Sequence, residues 1–210
     1  DIHANNQGRF KLPSRLVAKT LLFRIIYGGT GYSFSTDPEF SHLGSAGWWD
    51  EKIAEFYEKY KKLYKWHQSL LERVVKSNGF LELPTGRIYQ FQAHASYYGE
   101  KKWPRNRILI YPVQGLAADL MSIARVSFFK KLQKESFKNN ILMVNSVHDS
   151  ILLDSNLESC DNIKVINILK DTFTHIPDNF KFLFQQEFNL PIQVEISTGP
   201  DWKNMEIFKT

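Results

Sequence analysis

The chain contains a single cysteine, Cys160, among its 210 residues. A lone cysteine forms neither an internal disulfide nor a cysteine-based metal site, so the sequence indicates a protein of a reducing compartment. No apolar run approaches the length of a membrane-spanning helix, and the polar first residues are unlike a secretory signal. We therefore expect a cytoplasmic protein with no membrane partner.

Neither sign of charge is strongly in excess. Lys and Arg number 27 against 22 acidic residues, which gives a formal net charge of +5. This modest basic excess suits an acidic partner such as DNA but does not identify one. With 43% hydrophobic residues the chain can bury a substantial core, and it has no repeats or low-complexity linkers. The composition therefore predicts a globular unit with no independent boundary.

Periodicity and turn residues predict a mixture of helices and short strands. Ser14 is a suitable N-cap for the first clear helix, which the glycines after Tyr27 would end. A loop is expected over residues 98–107. The predicted helices cover residues 15–27, 48–77, 112–134 and 162–175, and the predicted strands cover 80–83, 87–92, 141–146, 151–154 and 192–197.

The first predicted helix carries a regular series of functional side chains. Arg15, Lys19, Phe23 and Tyr27 are spaced by four and precede Gly28. Each step of four turns the direction by only about 40°, so all four follow one side of the helix. The two cations suit phosphate oxygens and the two rings suit stacking on a base. The alternative is an ordinary amphipathic helix, but the aromatic residues and the glycine favour a nucleoside triphosphate site.

This helix resembles motif B of the family A DNA polymerases, and specifically of their bacteriophage T7-like branch. Four further matches follow the order of that family. They are the lead-in Asp1–Gln7 with Leu12-Pro13-Ser14, the helix start Tyr111–Asp119, the turn Val147-His148-Asp149, which is similar to motif C, and Gly199-Pro200-Asp201-Trp202 near the end. The resemblance therefore spans essentially the whole chain.

The resemblance implies an α+β fold, the polymerase right hand, in partial form. Helical fingers would occupy about residues 1–97, and an antiparallel-sheet palm would occupy about residues 98–210. The thumb and the N-terminal domains would be absent. The implied activity is DNA-directed DNA polymerisation, with dNTPs and primer-template DNA as partners, in the host cytoplasm if a phage encodes the protein.

The resemblance also assigns roles to individual residues. Asp149 and Lys19 would be catalytic, and Asp149 would be a ligand of one of two Mg²⁺ ions. The dNTP would contact His3, Arg15, Lys19, Phe23 and Tyr27. DNA would contact Gln114 in the minor groove, His148 at the primer end, and the basic residues Arg105 and Arg107, for which an exposed loop is the alternative.

Two features depart from the family pattern, and one expected motif is missing. Ser150 stands where the family often has Glu, and Ile110 stands where cellular members often have Asn. The second catalytic aspartate belongs to motif A, which would precede Asp1. We therefore expect a partner polypeptide or upstream segment to supply motif A, the thumb and any 3′–5′ exonuclease, and expect the chain alone not to polymerise.

Two other functions stay open from the sequence. One is a non-catalytic DNA-binding or assembly subunit of a replication complex. The other is a fragment of a single-subunit RNA polymerase, which shares the Arg, Lys and Tyr-Gly of motif B. The aromatic Phe23 resembles the DNA enzymes, in which Phe at this position accompanies rejection of dideoxynucleotides.

Overall fold

The computed structural model describes residues 1–95, 99–156 and 159–208, with only the backbone of residues 159 and 160. Within these ranges the helices are α1 (Ile2–Arg9), α2 (Arg15–Ile26), α3 (Gly31–Ser35), α4 (Ala46–Lys59), α5 (Lys61–Lys76), α6 (Arg105–Leu132), α7 (Ser159–Thr174) and α8 (Ile176–Phe184). The strands are β1 (Phe80–Glu82), β2 (Ile88–Gln90), β3 (His94–Ala95), β4 (Lys101–Lys102), β5 (Ile141–Val147), β6 (Ser150–Ser155), β7 (Ser197–Thr198) and β8 (Glu206–Ile207).

All four sheets are two-stranded and antiparallel in the described part of the chain. The backbone divides into two compact units, of which the first comprises residues 1–83 and 87–114 and the second comprises 84–86 and 115–210. From the sequence we expected no independent boundary and a change from fingers to palm near residue 97, and this assignment stays a prediction. The two compact units of the described backbone meet in sequence after Gln114, inside α6.

The predicted helix over residues 15–27 is confirmed as α2. The Ser14 side chain accepts a hydrogen bond from Val17 N, which satisfies a donor of the first turn. Tyr27 is the C-cap, and Gly28 follows with φ +83°, a left-handed conformation that favours glycine. The buried face of α2 packs into the first core of this unit. That core contains Ala18, Leu21, Leu22, Ile25, Phe34, Phe40, Trp49 and Phe56.

The single helix predicted over residues 48–77 is wrong, because the chain breaks at Tyr60 into α4 and α5. Tyr60 has φ −111° and ψ +54°, outside the helical region. Because of this break, the two helices pack into different hydrophobic cores. Phe56 of α4 is buried in the first core, whereas Leu70 and Val74 of α5 belong to a second core with Ile108 and Leu109.

The helix predicted from Pro112 begins earlier than expected. Pro112 lies inside α6, which starts at Arg105. Ile108 and Leu109 are fully buried, so the turns before the proline anchor α6 in the first unit. The expectation of an exposed loop through Arg107 is therefore wrong for Arg105 and Arg107, which lie in the first turn of α6.

In the second unit, α6 and α7 pack beside the β5–β6 hairpin. The shared core contains Phe128, Leu132, Phe137, Ile141, Val165 and Leu169. The hairpin predicted over 141–154 is confirmed, with Val147 opposite Ser150 and a register shift between Met143 and Asn145. The α8 helix was not predicted.

The strand predicted over residues 192–197 is wrong for most of its length, because only Ser197 belongs to a strand. The alternation itself has a clear cause, since Ile192, Val194 and Ile196 are half-buried against the cores of this unit. Phe208 N donates to Ile196 O, and Ser197 pairs with Ile207 of β8. None of the helices in the described ranges combines the length and apolar character needed to cross a bilayer.

Candidate functional site: a basic and aromatic helix flank

The α2 helix presents its predicted series of side chains to solvent. Arg15 and Lys19 are exposed, Phe23 is 42% exposed and Tyr27 is partly buried. The Phe23 and Tyr27 rings are stacked, with centroids 6.1 Å apart and an interplanar angle of 26°. The opposite face of α2 is held in the core, so packing fixes the direction in which this flank points.

The α1 helix brings His3 to the same flank. The His3 ring centroid lies 6.2 Å from that of Phe23. Partial burial, followed by the nearby Arg15 and Lys19 cations, lowers the pKa of His3. Its Nδ1 is buried and has no hydrogen-bond partner among the described residues. The structure therefore brings His3, Arg15 and Lys19 together, the three residues expected to contact the triphosphate.

Arg15 forms an ion pair with Asp1. Its Nε and Nη2 donate to Asp1 Oδ2 at 2.8 and 2.5 Å, and Asp1 also caps α1 by accepting from His3 N at 2.7 Å. Both side chains of the ion pair are about half exposed, so the pair contributes little stability and its exchange for another anion costs little. Lys19 has no ion pair in the described part of the chain, which leaves its ammonium available to an anion.

The third basic residue of α2 has a structural role. Arg24 Nη2 lies 2.8 Å from Asp37 Oδ2, and its guanidinium lies 4.7 Å from the Phe40 ring centroid. The hydrogen bond from Arg24 lowers the pKa of Asp37. This pair ties α2 to the loop that follows α3, so Arg24 does not belong to the exposed flank.

The end of α2 rests against the start of α6 within the first unit. A Cβ atom at Gly28 would lie 2.9 Å from Asn106 Oδ1 and 3.2 Å from Leu109 Cδ1. Gly28 therefore combines a left-handed backbone with a close approach that a larger residue would disturb. The sequence assigned Gly28 to the end of the helix and to the residue series of the predicted nucleotide site, but not to this contact.

A buried polar network also supports this end of α2, and the sequence did not predict it. Tyr57 Oη donates to Ile25 O at 3.1 Å and lies 3.1 Å from His67 Nδ1. A tyrosine hydroxyl has one proton, so the Nδ1–H of His67 donates to Tyr57 Oη. The network therefore links α5 to a carbonyl of the last turn of α2.

Arg105 lies close to His67 and Tyr57, the two side chains of this network. Burial, and secondarily the charge of Arg105, lowers the pKa of His67 to about 4. Burial raises the pKa of Tyr57, while the positive charge of Arg105 opposes the rise. Arg105 therefore lies beside a buried His and a partly buried Tyr, and the DNA contact expected for it stays a prediction.

The other predicted DNA contacts lie on exposed surfaces. Arg107 and Gln114 are both exposed on α6. Gln114 lies well inside the helix rather than at one of its ends. Ile110 is partly buried on the same helix.

The predicted metal ligand occupies the tip of the β5–β6 hairpin. His148 has φ +51°, and Asp149 is exposed at the two-residue turn. Ser150 Oγ donates to Val147 O at 2.8 Å, so Ser150 stabilises the turn rather than replacing an acid. No group of three or more potential metal ligands occurs in the described residues. One carboxylate does not make a two-metal site, so these residues hold at most part of it.

The fifth motif forms a compact turn near the chain end. A Cβ at Gly199 would lie 2.2 Å from Asn204 O, which no side chain could accommodate without movement. Asp201 Oδ1 accepts from Lys203 N at 2.9 Å and from Asn204 N at 3.0 Å. Trp202 is 63% exposed. The glycine is therefore required by close backbone packing.

The class of protein follows from comparison with known sequences. The family model described as DNA polymerase family A matches residues 2–204, so the chain belongs to DNA polymerase family A. Its α+β architecture of helices and small antiparallel sheets resembles a polymerase domain.

Particular relatives are bacterial enzymes. The chain is 25% identical to DNA polymerase I of Lactococcus lactis subsp. lactis (strain IL1403), over 88% of this chain and 19% of that protein. It is 25% identical to the thermostable DNA polymerase I of Thermus thermophilus, over 90% of this chain and 20% of that protein. The chain thus spans about a fifth of the length of these relatives.

A solved structure shows the same fold. It is the POL domain of Pol1 from M. smegmatis in complex with DNA primer-template and dNTP, and the superposition has a TM-score of 0.67. The match covers 85% of this chain and 29% of that chain, at 13% sequence identity. This structural similarity shows that the chain has the fold of a polymerase domain.

Proposed function

We propose that this chain is the dNTP-binding and primer-template-binding C-terminal part of a DNA-directed DNA polymerase. The first unit would form most of the fingers and the second unit most of the palm of the right hand. Membership of the T7-like branch, a phage origin and a cytoplasmic site of action belong to the same proposal.

The exposed flank of α2 is the observation that carries this proposal. Arg15, Lys19 and His3 offer positive or donor groups beside the stacked Phe23 and Tyr27 rings. A triphosphate beside the two cations would place its base toward the two rings, because all of them follow one side of one helix. Lys19 would also neutralise charge on the transferring phosphoryl group, which is the role of a catalytic cation.

Contacts to DNA would come from polar residues on other elements. Gln114 can donate to the minor-groove acceptors that all base pairs share, so it would test pair shape without reading sequence. Arg105 and Arg107 would meet backbone phosphates, and His148 the primer end. The M. smegmatis structure is a complex with DNA primer-template and dNTP, which supports this class of ligand.

Catalysis requires groups beyond the described residues. Asp149 would supply one oxygen ligand to Mg²⁺, which prefers such ligands. The second aspartate would come from motif A on an upstream segment or partner polypeptide, together with the thumb and any 3′–5′ exonuclease. The unshielded apolar side chains on β5, Leu142 at 61% and Val144 at 55% exposure, are consistent with a further element against this hairpin.

Direct dNTP binding tests the proposal on the chain as it stands. Binding of a dNTP would be measured by equilibrium dialysis for the wild type and for Arg15→Ala and Lys19→Ala. Each variant should bind about tenfold more weakly or worse, because each loses a charge-assisted hydrogen bond to phosphate. Lys130→Ala, an exposed lysine of α6, is the matched control and should bind like the wild type.

Two results would count against the proposal. One is equal dNTP affinity in the wild type, the α2 variants and the control, which would remove the site from α2. The other is robust primer extension by the isolated 210 residues, which would contradict the need for motif A from elsewhere. A preference for ribonucleotides would instead favour the RNA polymerase alternative, and binding of DNA without dNTP would favour a non-catalytic subunit.

A further inference from the structure

The net positive charge of the chain lies on α5 and the two residues just before it. Residues 59–76 contain six basic residues and one acid, and their net charge of +5 equals the formal net charge of all 210 residues. The rest of the chain is therefore neutral on balance. We call this surface the α5 basic face, formed by Lys59, Lys61, Lys62, Lys65, Arg73 and Lys76.

All six cations are exposed, and five of them lie on one face of α5. At 100° per residue, those from Lys61 to Lys76 fall within a sector of about 120°. The opposite side is buried through His67, Leu70 and Val74. The sector extends about 22 Å along the helix, at a rise of 1.5 Å per residue. The simplest alternative interpretation of this pattern is a solvated face with no ligand.

Few acids neutralise this surface. Lys61 pairs with Glu58 at 2.5 Å, and both side chains are mostly exposed. Within the described ranges no acid pairs with Lys62 or Lys65. Arg73 Nη2 donates to Glu82 O at 2.9 Å, and Glu72 is the one acid within the sector. The remaining like charges repel one another, so a polyanionic ligand would relieve the repulsion.

Aromatic side chains flank the cations on both sides. Tyr64 is 45% exposed and lines an open groove of about 450 Å³ together with Lys61 and Lys65. Trp66 is 36% exposed and lies at the other edge of the sector. Exposed rings beside a row of cations are the arrangement on which single-stranded nucleic acids bind, because bases stack on the rings while phosphates meet the cations.

We propose that the α5 basic face binds a single-stranded nucleic acid segment, with phosphates at Lys61, Lys62 and Lys65 and bases against Tyr64 and Trp66. Duplex DNA keeps its bases stacked and could not use the rings, and an acidic protein segment would use the charge alone. This surface is on a different helix from the dNTP flank of α2. The inference therefore adds to the proposed function but does not depend on dNTP binding.

Fluorescence anisotropy with a labelled oligo(dT) tests this inference on the full chain. The triple variant Lys61→Ala, Lys62→Ala, Lys65→Ala should bind at least tenfold more weakly at low salt. Its slope of log K against log salt should be shallower by about 2, at roughly 0.7 for each lost phosphate contact on a single strand. Alanine is a strong helix former, so circular dichroism should show an intact α5.

The aromatic residues provide an independent readout. Tyr64→Ala and Trp66→Ala should each weaken binding roughly fivefold or more with an unchanged salt slope, because stacking releases no counterions. The charge-matched control Lys130→Ala, Lys134→Ala, Lys138→Ala removes three exposed lysines of the second unit and should bind oligo(dT) within about twofold of the wild type. The dNTP affinity of the α5 variants should not change.

Three outcomes would overturn the inference. Equal losses in the α5 triple variant and its control would show unspecific attraction to net charge. Wild-type binding in both aromatic variants would remove the stacking role and with it the preference for single strands. Displacement of oligo(dT) by polyglutamate at the same charge concentration would identify an acidic protein segment as the better ligand.

Discussion

The buried His67 should make the stability of the first unit depend on pH. Its pKa is lowered to about 4 in the folded chain, first by burial and then by Arg105, against an ordinary value of 6.5. Between these values the unfolded chain takes up a proton that the folded chain does not. Stability is therefore complete above about pH 6.5 and is lost progressively as the pH falls toward 4.

The size of this effect follows from the difference between the two pKa values. One proton contributes about 1.4 kcal/mol per pH unit, and pH 5 lies 1.5 units below the unfolded pKa. The free energy of unfolding should therefore fall by about 2 kcal/mol between pH 7.5 and pH 5 through His67 alone. In urea this corresponds to a change in the unfolding midpoint of roughly 1 M.

The measurement is urea unfolding at pH 7.5 and pH 5.0 for the wild type, His67→Gln and His42→Gln. His67→Gln should lose stability at pH 7.5, because the Tyr57 hydroxyl loses its buried imidazole partner. It should lack the 2 kcal/mol of pH dependence. His42 is exposed, so His42→Gln should keep the wild-type dependence. Identical pH dependence in the wild type and His67→Gln would refute the assignment of a buried neutral imidazole.

Two further predictions concern α2. Gly28→Ala should destabilise the first unit by about 1–2 kcal/mol, because φ is +83° and Asn106 Oδ1 lies 2.9 Å from the new Cβ. The control Gly47→Ala, at an open position within α4, should instead be neutral or stabilising in thermal unfolding, and equal effects would contradict the packing argument. Phe23→Tyr should raise the ratio of dideoxynucleotide to deoxynucleotide incorporation in the assembled polymerase, and an unchanged ratio would count against the motif B assignment.

The elements best predicted from the sequence are those in which local rules and packing agree. Ser14, the spacing of four and Gly28 each indicate the same helix, and the exposure of Phe23 agrees with that spacing. The β5–β6 hairpin, which has His148 in its turn, was also predicted correctly, because two aliphatic runs flank a two-residue turn.

The errors arise where tertiary packing overrides a continuous local pattern. The apolar period passes without interruption through Tyr60, so nothing local shows that α4 and α5 serve different cores. Pro112 is typical of a helix start, but burial of Ile108 and Leu109 extends α6 before it.

The candidate site was predicted in part for a similar reason. The residues of α2 share one helix, so spacing alone brings them together. The support from Tyr57 and His67 depends on contacts between separate elements, although His67 does fall on the apolar face of its helix. The position of His67 on the apolar face was the one feature of the sequence that indicated burial. Residue spacing could not show that Tyr57 is its hydrogen-bond partner.

The most direct test of the central claim is photoaffinity labelling of the chain with 8-azido-dATP, followed by mass spectrometry of its peptides. If the α2 flank binds the nucleotide, the base should label the segment that contains Phe23 and Tyr27. Excess dTTP and the Lys19→Ala substitution should each suppress the label. Labelling that is confined to other segments, or that persists undiminished with excess dTTP, would contradict the account.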